Sequence, residues 1–381
     1  MTGNVARLFW QRGLPVVGVV ALLGQLFWWA PHRVSGGRLQ LSDADAYYQA
    51  ARRAAAGQQV YATDTRTSSI VPPNGFLYPP SALALLKPAA KLSSQTWRAT
   101  FCLIAIASIW ALAAALVRIA TGKTAARHVL AVGALLAAFP PARACMSNGN
   151  LDIVVVALTA WAFAEPRVSA ALLVIAASIK LYPGFVVAAW WPRTIRSFRL
   201  QAEITAGIIV LLALMTAGPY MREWLRLGLP SLNNPTTAYG NWSISTLFLC
   251  DSDQYDLATV PRTLRLALSL APIVAAVVAY TVTRKRSMRV TGIAVLMVGM
   301  WAAAICWWSH LLLVATIPAS MWIARRRSEL QQAPRGERGG ERGARDFSAG
   351  ELLGGGGTRG LLRSRAVNSL APPPHRGCRS R

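Results

Sequence analysis

The feature that most restricts this chain is a succession of apolar runs joined by short basic connections. The runs are approximately Leu14–Ala30, Trp97–Ala120, Val129–Pro141, Leu151–Ala164, Val168–Ile179, Tyr182–Trp191, Ile204–Gly218, Leu264–Val282, Val290–Trp308 and Leu311–Ala324. Several approach the roughly 20 residues that a helix needs to cross hydrocarbon. Lipid offers no hydrogen bonds to a backbone, so segments of this kind cross as helices. Ser81–Leu92 is apolar but short and reads as an interfacial or re-entrant helix. Of the 381 residues, 54% are hydrophobic and 14% charged, against about 25% charged in an average soluble domain. Length alone allows two or three soluble domains. The runs argue instead for one all-α, polytopic integral membrane domain over 1–327. Fourteen Trp suit the aromatic belts at the two interfaces. Arg7 and Arg12 before Leu14 resemble the start of a secretory signal. No small-residue cleavage pattern follows, so this run is read as a retained first helix.

The formal net charge of +25 invites a nucleic-acid reading. The bases sit instead in short connections and a terminal tail, so membrane lipids and not nucleic acid are the expected partners. Five clusters carry the orientation: Arg7 with Arg12; Lys123 with Arg127; Arg193, Arg196 and Arg199; Arg284, Lys285, Arg286 and Arg289; and Arg325 to Arg327. All five are cytoplasmic if the chain crosses a cell membrane ten times with both termini inside. That parity requires Val168–Ile179 and Tyr182–Trp191 to be separate short crossings, broken around Lys180 and Pro183. One continuous helix there would put the Arg193 cluster outside.

With ten crossings, the two long connections, Pro31–Pro80 and Pro219–Arg262, lie on the outer face. Within the first, Ala44–Ala56 is rich in helix formers and predicts a helix along the interface. From Ser328 the composition changes to Arg-Gly repeats, Gly354–Gly357 and Pro372–Pro374. This segment, 328–381, is expected to be a disordered cytoplasmic tail, or the product of a frameshifted reading frame. The five Cys show no metal spacing. Cys145 and Cys250 fall on one side, as a disulfide would require.

Polar residues at the ends of the runs supply the candidate chemistry. Asp43 and Asp45 follow the first run, in a chain with only 15 acids to 40 bases. A carboxylate at a half-buried interface can serve as a general base. The plainer reading is two loop acids, with Ser42 or Asp43 capping the next helix. His310 opens the last run and can move a proton or donate to a phosphate oxygen; it can equally be an aromatic-belt residue. Lys180 interrupts an apolar stretch, where an ionisable group suggests function. It reads equally as a phosphate-binding point charge or as a snorkelling lysine. Asn148-Gly149-Asn150 and Asn241-Trp242-Ser243 offer amides and an aromatic face to sugar hydroxyls, but also suit turns, and the second matches a glycosylation acceptor. All these positions fall on the outer face in the ten-crossing topology, as does Tyr78-Pro79-Pro80.

Together these pieces resemble glycosyltransferase family 87, a polyprenol-phosphate-mannose-dependent group of GT-C enzymes. The resemblance rests first on Asp43-x-x-x-Tyr47-Tyr48-x-Ala50-Ala51, followed by Gly57-x-x-Val60-Tyr61. It continues with Phe76-Leu77-Tyr78-Pro79-Pro80 and Lys87-Pro88, then Asn148-Gly149-Asn150-Leu151, where the family often has Gly-Gln-x-Asn. Ile179-Lys180-Leu181-Tyr182-Pro183 comes next, then Asn241-x-Ser243, Trp308-Ser309-His310 and Pro318-Ala319. The tail has no family counterpart.

The resemblance implies a GT-C-like fold and an inverting hexosyltransferase on the outer face. The donor would be a polyprenyl phosphate sugar, most often mannose, and the acceptor a glycolipid or polysaccharide hydroxyl. Asp43 would be the base. Lys180 and His310 would stabilise the leaving phosphate, with Arg52 or Arg53 in reserve, and Asn148, Asn150 and Asn241 would orient sugars. Asp45 is assigned a supporting or capping part, and Tyr78 a place in the substrate site. No cofactor is expected: GT-C enzymes in general can use a divalent metal, but acids are few here. The alternative from another class is a lipid or polysaccharide transporter or flippase, which would also use an intramembrane lysine and broken helices.

Overall fold

The computed structural model describes residues 13–35, 41–61, 76–193, 196–229, 262–303, 306 and 308–332. Asn241, Cys250 and the segment 333–381 lie outside the described residues. Among the described residues every regular element is helical. Thirteen helices are used below. They are α1 (Pro15–Val34), α2 (Ser42–Ala55), α3 (Pro80–Leu86), α4 (Ser94–Thr121), α5 (Ala126–Ala138), α6 (Pro140–Asn148), α7 (Asp152–Ala164), α8 (Ser169–Ile179), α9 (Gly184–Trp190), α10 (Arg196–Glu223), α11 (Arg262–Thr283), α12 (Met288–Ala302) and α13 (Trp308–Gln332).

Among the described residues three helices are long and apolar enough to cross a bilayer: α1, α4 and the continuous helix Arg196–Gly228 that contains α10. A fourth candidate is the pair α5 and α6, bent by 71° at Phe139–Pro140. Proline has no N–H to continue the α5 ladder and its fixed φ suits a helix start, so the run drawn through Pro141 breaks there. The central member is α4, 61% buried over its apolar window, whereas the windows of α1 and α10 are only 11% and 17% buried. Val16, Val20, Ile208, Leu211 and Met215 project from those two helices into the surroundings. A continuous apolar exterior of this extent is what hydrocarbon would cover. Ser93 starts α4 by accepting from the Thr96 N–H at 3.0 Å, and Gly122 ends it at φ 75°.

The direction of α8 and α9 is given by their contacts with α7. Lys180, at the end of α8, reaches Asp152 at the start of α7. Trp190, at the end of α9, packs on Phe163 near the end of α7, with ring centroids 5.1 Å apart. The Lys180–Pro183 break is therefore the tip of a hairpin, with α8 and α9 running in opposite directions beside α7. Both legs are short. At 1.5 Å per residue, α8 is about 16 Å long, well under a ~30 Å hydrocarbon core.

Two boundaries differ from the sequence reading. α2 begins at Ser42 behind Leu41, and neither Ser42 nor Asp43 caps it. Asp43 is held instead by Asn150, in the connection between α6 and α7. α13 continues past Arg327 to Gln332, with Arg325 and Arg326 held by Glu329. α2 lays Ala44, Tyr47, Tyr48, Ala51 and Ala54 into the core, the 3–4 spacing of an amphipathic helix. Its carbonyl at Ala44 accepts from the Trp97 indole at 2.7 Å, fastening it across the start of α4.

Candidate active site

The ends of α6, α7, α8 and α13 and the start of α2 meet in one place. At the centre is Asp152, whose side chain has no solvent exposure. One of its oxygens, Oδ2, accepts from Lys180 Nζ and, at 2.8 Å, from His310 Nδ1; Oδ1 accepts from the Tyr182 hydroxyl at 3.1 Å. A fully buried carboxylate is tolerable only with such partners. Lys180 also donates to Asn150 Oδ1 at 3.3 Å and lies over the Tyr78 ring, 5.2 Å from its centroid.

Asn150 joins this cluster to Asp43. Its amide oxygen faces Lys180 and accepts from the Asp152 N–H at 2.9 Å; its amide nitrogen donates to Asp43 Oδ2 at 2.6 Å. The approach of the two helices depends on Gly149, which ends α6 at φ 70°. A side chain there would need the left-handed conformation and would place Cβ 2.8 Å from Ala44 Cβ. Gly149 makes the turn, Asn150 enters the network, and Asn148 is exposed on the last turn of α6.

Oδ1 of Asp43 has no hydrogen-bond partner among the described residues. Burial is the largest influence on this carboxyl and moves its pKa up from the usual 3.8. Lys180, the Asn150 bond and His310 pull downward without cancelling that rise. The Tyr47 hydroxyl pairs with Tyr78 at 2.6 Å, and burial first of all keeps both phenols neutral.

The remaining expected residues divide. Asp45, two residues beyond Asp43, accepts instead from Nε and Nη2 of Arg98 at 2.9 and 2.7 Å, tying α2 to α4. Arg52 is exposed, over the Tyr48 ring, and is nine residues along α2 from Asp43, about 13 Å at the helical rise. Arg53 donates to the Val60 carbonyl at 3.4 Å, in the same distant region. Asp152 and Tyr182 were not singled out from the sequence. The available signal was an acid beginning an otherwise apolar run, two residues after Asn150.

The cluster is recessed. Trp161 Nε1 donates to the Ala111 carbonyl at 2.9 Å, and Glu165 pairs with Arg118, so α7 runs parallel to α4 with an offset of roughly 47–50 residues. Asp152 is then level with the region of Ile104, about 15 Å along α4 from Ser94. A separate groove of about 370 Å³ between α1 and α4 is lined by Leu26, Ala30, Pro31, Val34, Ala99 and Leu103 with the polar Ser35 and Gln95. Among the described residues no set of three or more His, Cys, Asp or Glu side chains is arranged to hold a metal ion.

Comparison with protein families decides the class: the sequence model for glycosyltransferase family 87 matches residues 76–307. The chain belongs to glycosyltransferase family 87. Membership makes it a glycosyltransferase, with a sugar donor and an acceptor as substrates. The matched segment includes Tyr78, Asn150, Asp152 and Lys180. Asp43 precedes it and His310 follows it, and in this family 87 chain both are brought to the segment's polar centre by α2 and α13. No curated protein and no solved structure matched.

Proposed function

We propose that this enzyme moves a hexose, mannose in the first instance, from a polyprenyl phosphate to a glycolipid or polysaccharide hydroxyl, with inversion. The observation that carries the reading is Asp43. One oxygen is held by Asn150, the other has no hydrogen-bond partner among the described residues, and the buried Lys180–Asp152–His310 cluster stands beside it. The acceptor oxygen forms a bond to the anomeric carbon as the bond from that carbon to the phosphate oxygen breaks. The acceptor proton goes to Asp43, and the bonding electrons leave with the phosphate. A phosphate is already a good leaving group and needs positive charge near its oxygens more than it needs a proton. Lys180 and His310 supply that charge.

Family membership favours this enzyme over the transporter alternative. The GT-C architecture and ten crossings, with the site on the extracytoplasmic face of the cell membrane and both termini cytoplasmic, belong to the same proposal. They are supported by the α8–α9 hairpin and by the place of the basic residues. Arg118 and Arg193 lie at helix ends remote from Asp152, and Arg193 bonds Thr291 near the start of α12. The groove between α1 and α4 suits an isoprenoid chain.

Purified protein, radiolabelled polyprenyl-phosphate-mannose and membrane lipids provide the test. A labelled glycolipid is expected with wild type and none with Asp43→Asn. Full transfer by Asp43→Asn, with loss in Asp45→Asn, would move the base by two residues; full transfer by both would end this mechanism. Labelling of a cysteine placed near Asn241 only from inside the cell would overturn the topology.

A further inference from the structure

The Asp152 cluster poses a charge problem for an incoming phosphate. Asp43, Asp152 and Lys180 bring two negative charges and one positive, and His310 adds at most one positive. The two side chains already share one carboxylate oxygen. Yet each retains unused capacity. Lys180 has three N–H donors and two acceptors, Asp152 and Asn150. His310 meets Asp152 through Nδ1, and its Nε2 has no partner among the described residues. Both side chains keep some exposure, 19% for Lys180 and 13% for His310, while Asp152 has none. The two donors are therefore nearer solvent than the carboxylate, which stands behind them.

From this arrangement we infer that Asp152 is the resident counter-ion of the phosphate subsite, a positioning residue that fixes Lys180 and His310 from behind and weakens their hold on the carrier phosphate. The inference rests on the phosphate-carrier reading above. The carboxylate does two things at once. It fixes the two donors as a pair, which favours the geometry of the departing phosphate. It also lowers the net positive charge seen by that phosphate, so that spent carrier is released after transfer. Removing the charge separates these effects. Asp152→Asn should bind phosphate more tightly and catalyse more slowly, whereas a residue that merely supports the fold would lose both.

The experiment uses the full chain in lipid nanodiscs, tritiated polyprenyl phosphate without sugar as probe, and tritiated polyprenol as its neutral control. Asp152→Asn is expected to bind polyprenyl phosphate about tenfold more tightly, from the loss of one nearby like charge. Polyprenol binding should not change, and kcat for sugar transfer should fall. Equal or weaker phosphate binding by folded Asp152→Asn overturns the inference.

A second comparison leaves no buried charge stranded. Lys180→Gln should weaken phosphate binding, and Asp152→Asn combined with Lys180→Gln should recover part of it. No recovery in the double variant also overturns the inference. Absence of polyprenyl phosphate binding by wild type would end the carrier reading itself. Tighter binding by Asp152→Asn alongside full transfer by Asp43→Asn would keep the counter-ion and discard the base.

Discussion

Helix α7 has an acid at each end, and the two ends differ sharply. At its start Asp152 is sealed and serves Lys180, His310 and Tyr182 together. Just past its end Glu165 has a single partner, Arg118, and both side chains are partly open, 26% and 36% exposed. The ion pairs are equally close, so distance does not distinguish them. Burial and the number of partners do. An exposed pair contributes about 0–1 kcal/mol, because water competes for both ions. A buried pair contributes little net stability but commits its members, since losing one strands the other without solvation. Charge that could have been left at a surface has been placed inside only at the end that faces Asp43.

The comparison predicts a graded series. The largest effect belongs to Asp152→Ala, which leaves Lys180 buried without its carboxylate and should lower stability by about 3–5 kcal/mol. Denaturation in detergent measures it, and a loss near that of Glu165→Ala would erase the difference between the two ends. Next comes Asp43→Asn, expected to reduce kcat by about 10²–10⁴-fold, the usual contribution of a positioned base, with the fold retained. A transfer assay beside a melting curve separates the two readouts.

The same carboxyl predicts a pH effect. Activity should fall as pH drops through the raised pKa of Asp43, because a protonated base cannot take a proton. For stability the sign is opposite. The folded state holds this proton more firmly than the unfolded chain, so stability declines as pH rises from 3.8 through the raised value. Asp43→Asn should remove that decline and be the more stable protein at neutral pH.

A smaller effect is expected of Asp45→Asn, which opens a half-buried bidentate pair with Arg98 and should cost about 1 kcal/mol. Smallest is Glu165→Gln, at about 0.5 kcal/mol and with unchanged transfer. A large activity loss there would show that the two ends of α7 are coupled.

Much of this site could be read before any coordinates. Asp43, Lys180 and His310 stand at the ends of apolar runs, and charge in distant connections assigned those ends to one face. The break at Lys180–Pro183 followed from parity as much as from the proline. Asp152 escaped because it lies one residue inside a run, where an average over neighbouring valines and alanines conceals a single acid. Asn148 and Asn150 could not be told apart by type. Which amide enters the site depends on the left-handed turn at Gly149, a property of the backbone that residue spacing does not reveal. Helix ends were similarly blurred: composition shows where hydrocarbon would be left, not where hydrogen bonding stops, so α13 runs past its arginines. Asn241 lies outside the described residues, and its expected part in sugar binding stays a proposal.

The three partners of the central ion cluster are far apart in the chain, and that spacing has a consequence for biogenesis. A ribosome completes Asp152 first, Lys180 after 28 more residues, and His310 only with the last described helix. An acid that enters a bilayer ahead of its lysine is costly to leave there, and the α8–α9 turn brings the lysine to the same end of α7. The order of synthesis thus makes the histidine the closing piece. A chain interrupted before α13 would carry a paired but incomplete cluster, inserted and inactive, and a nascent chain arrested at that point would reveal it.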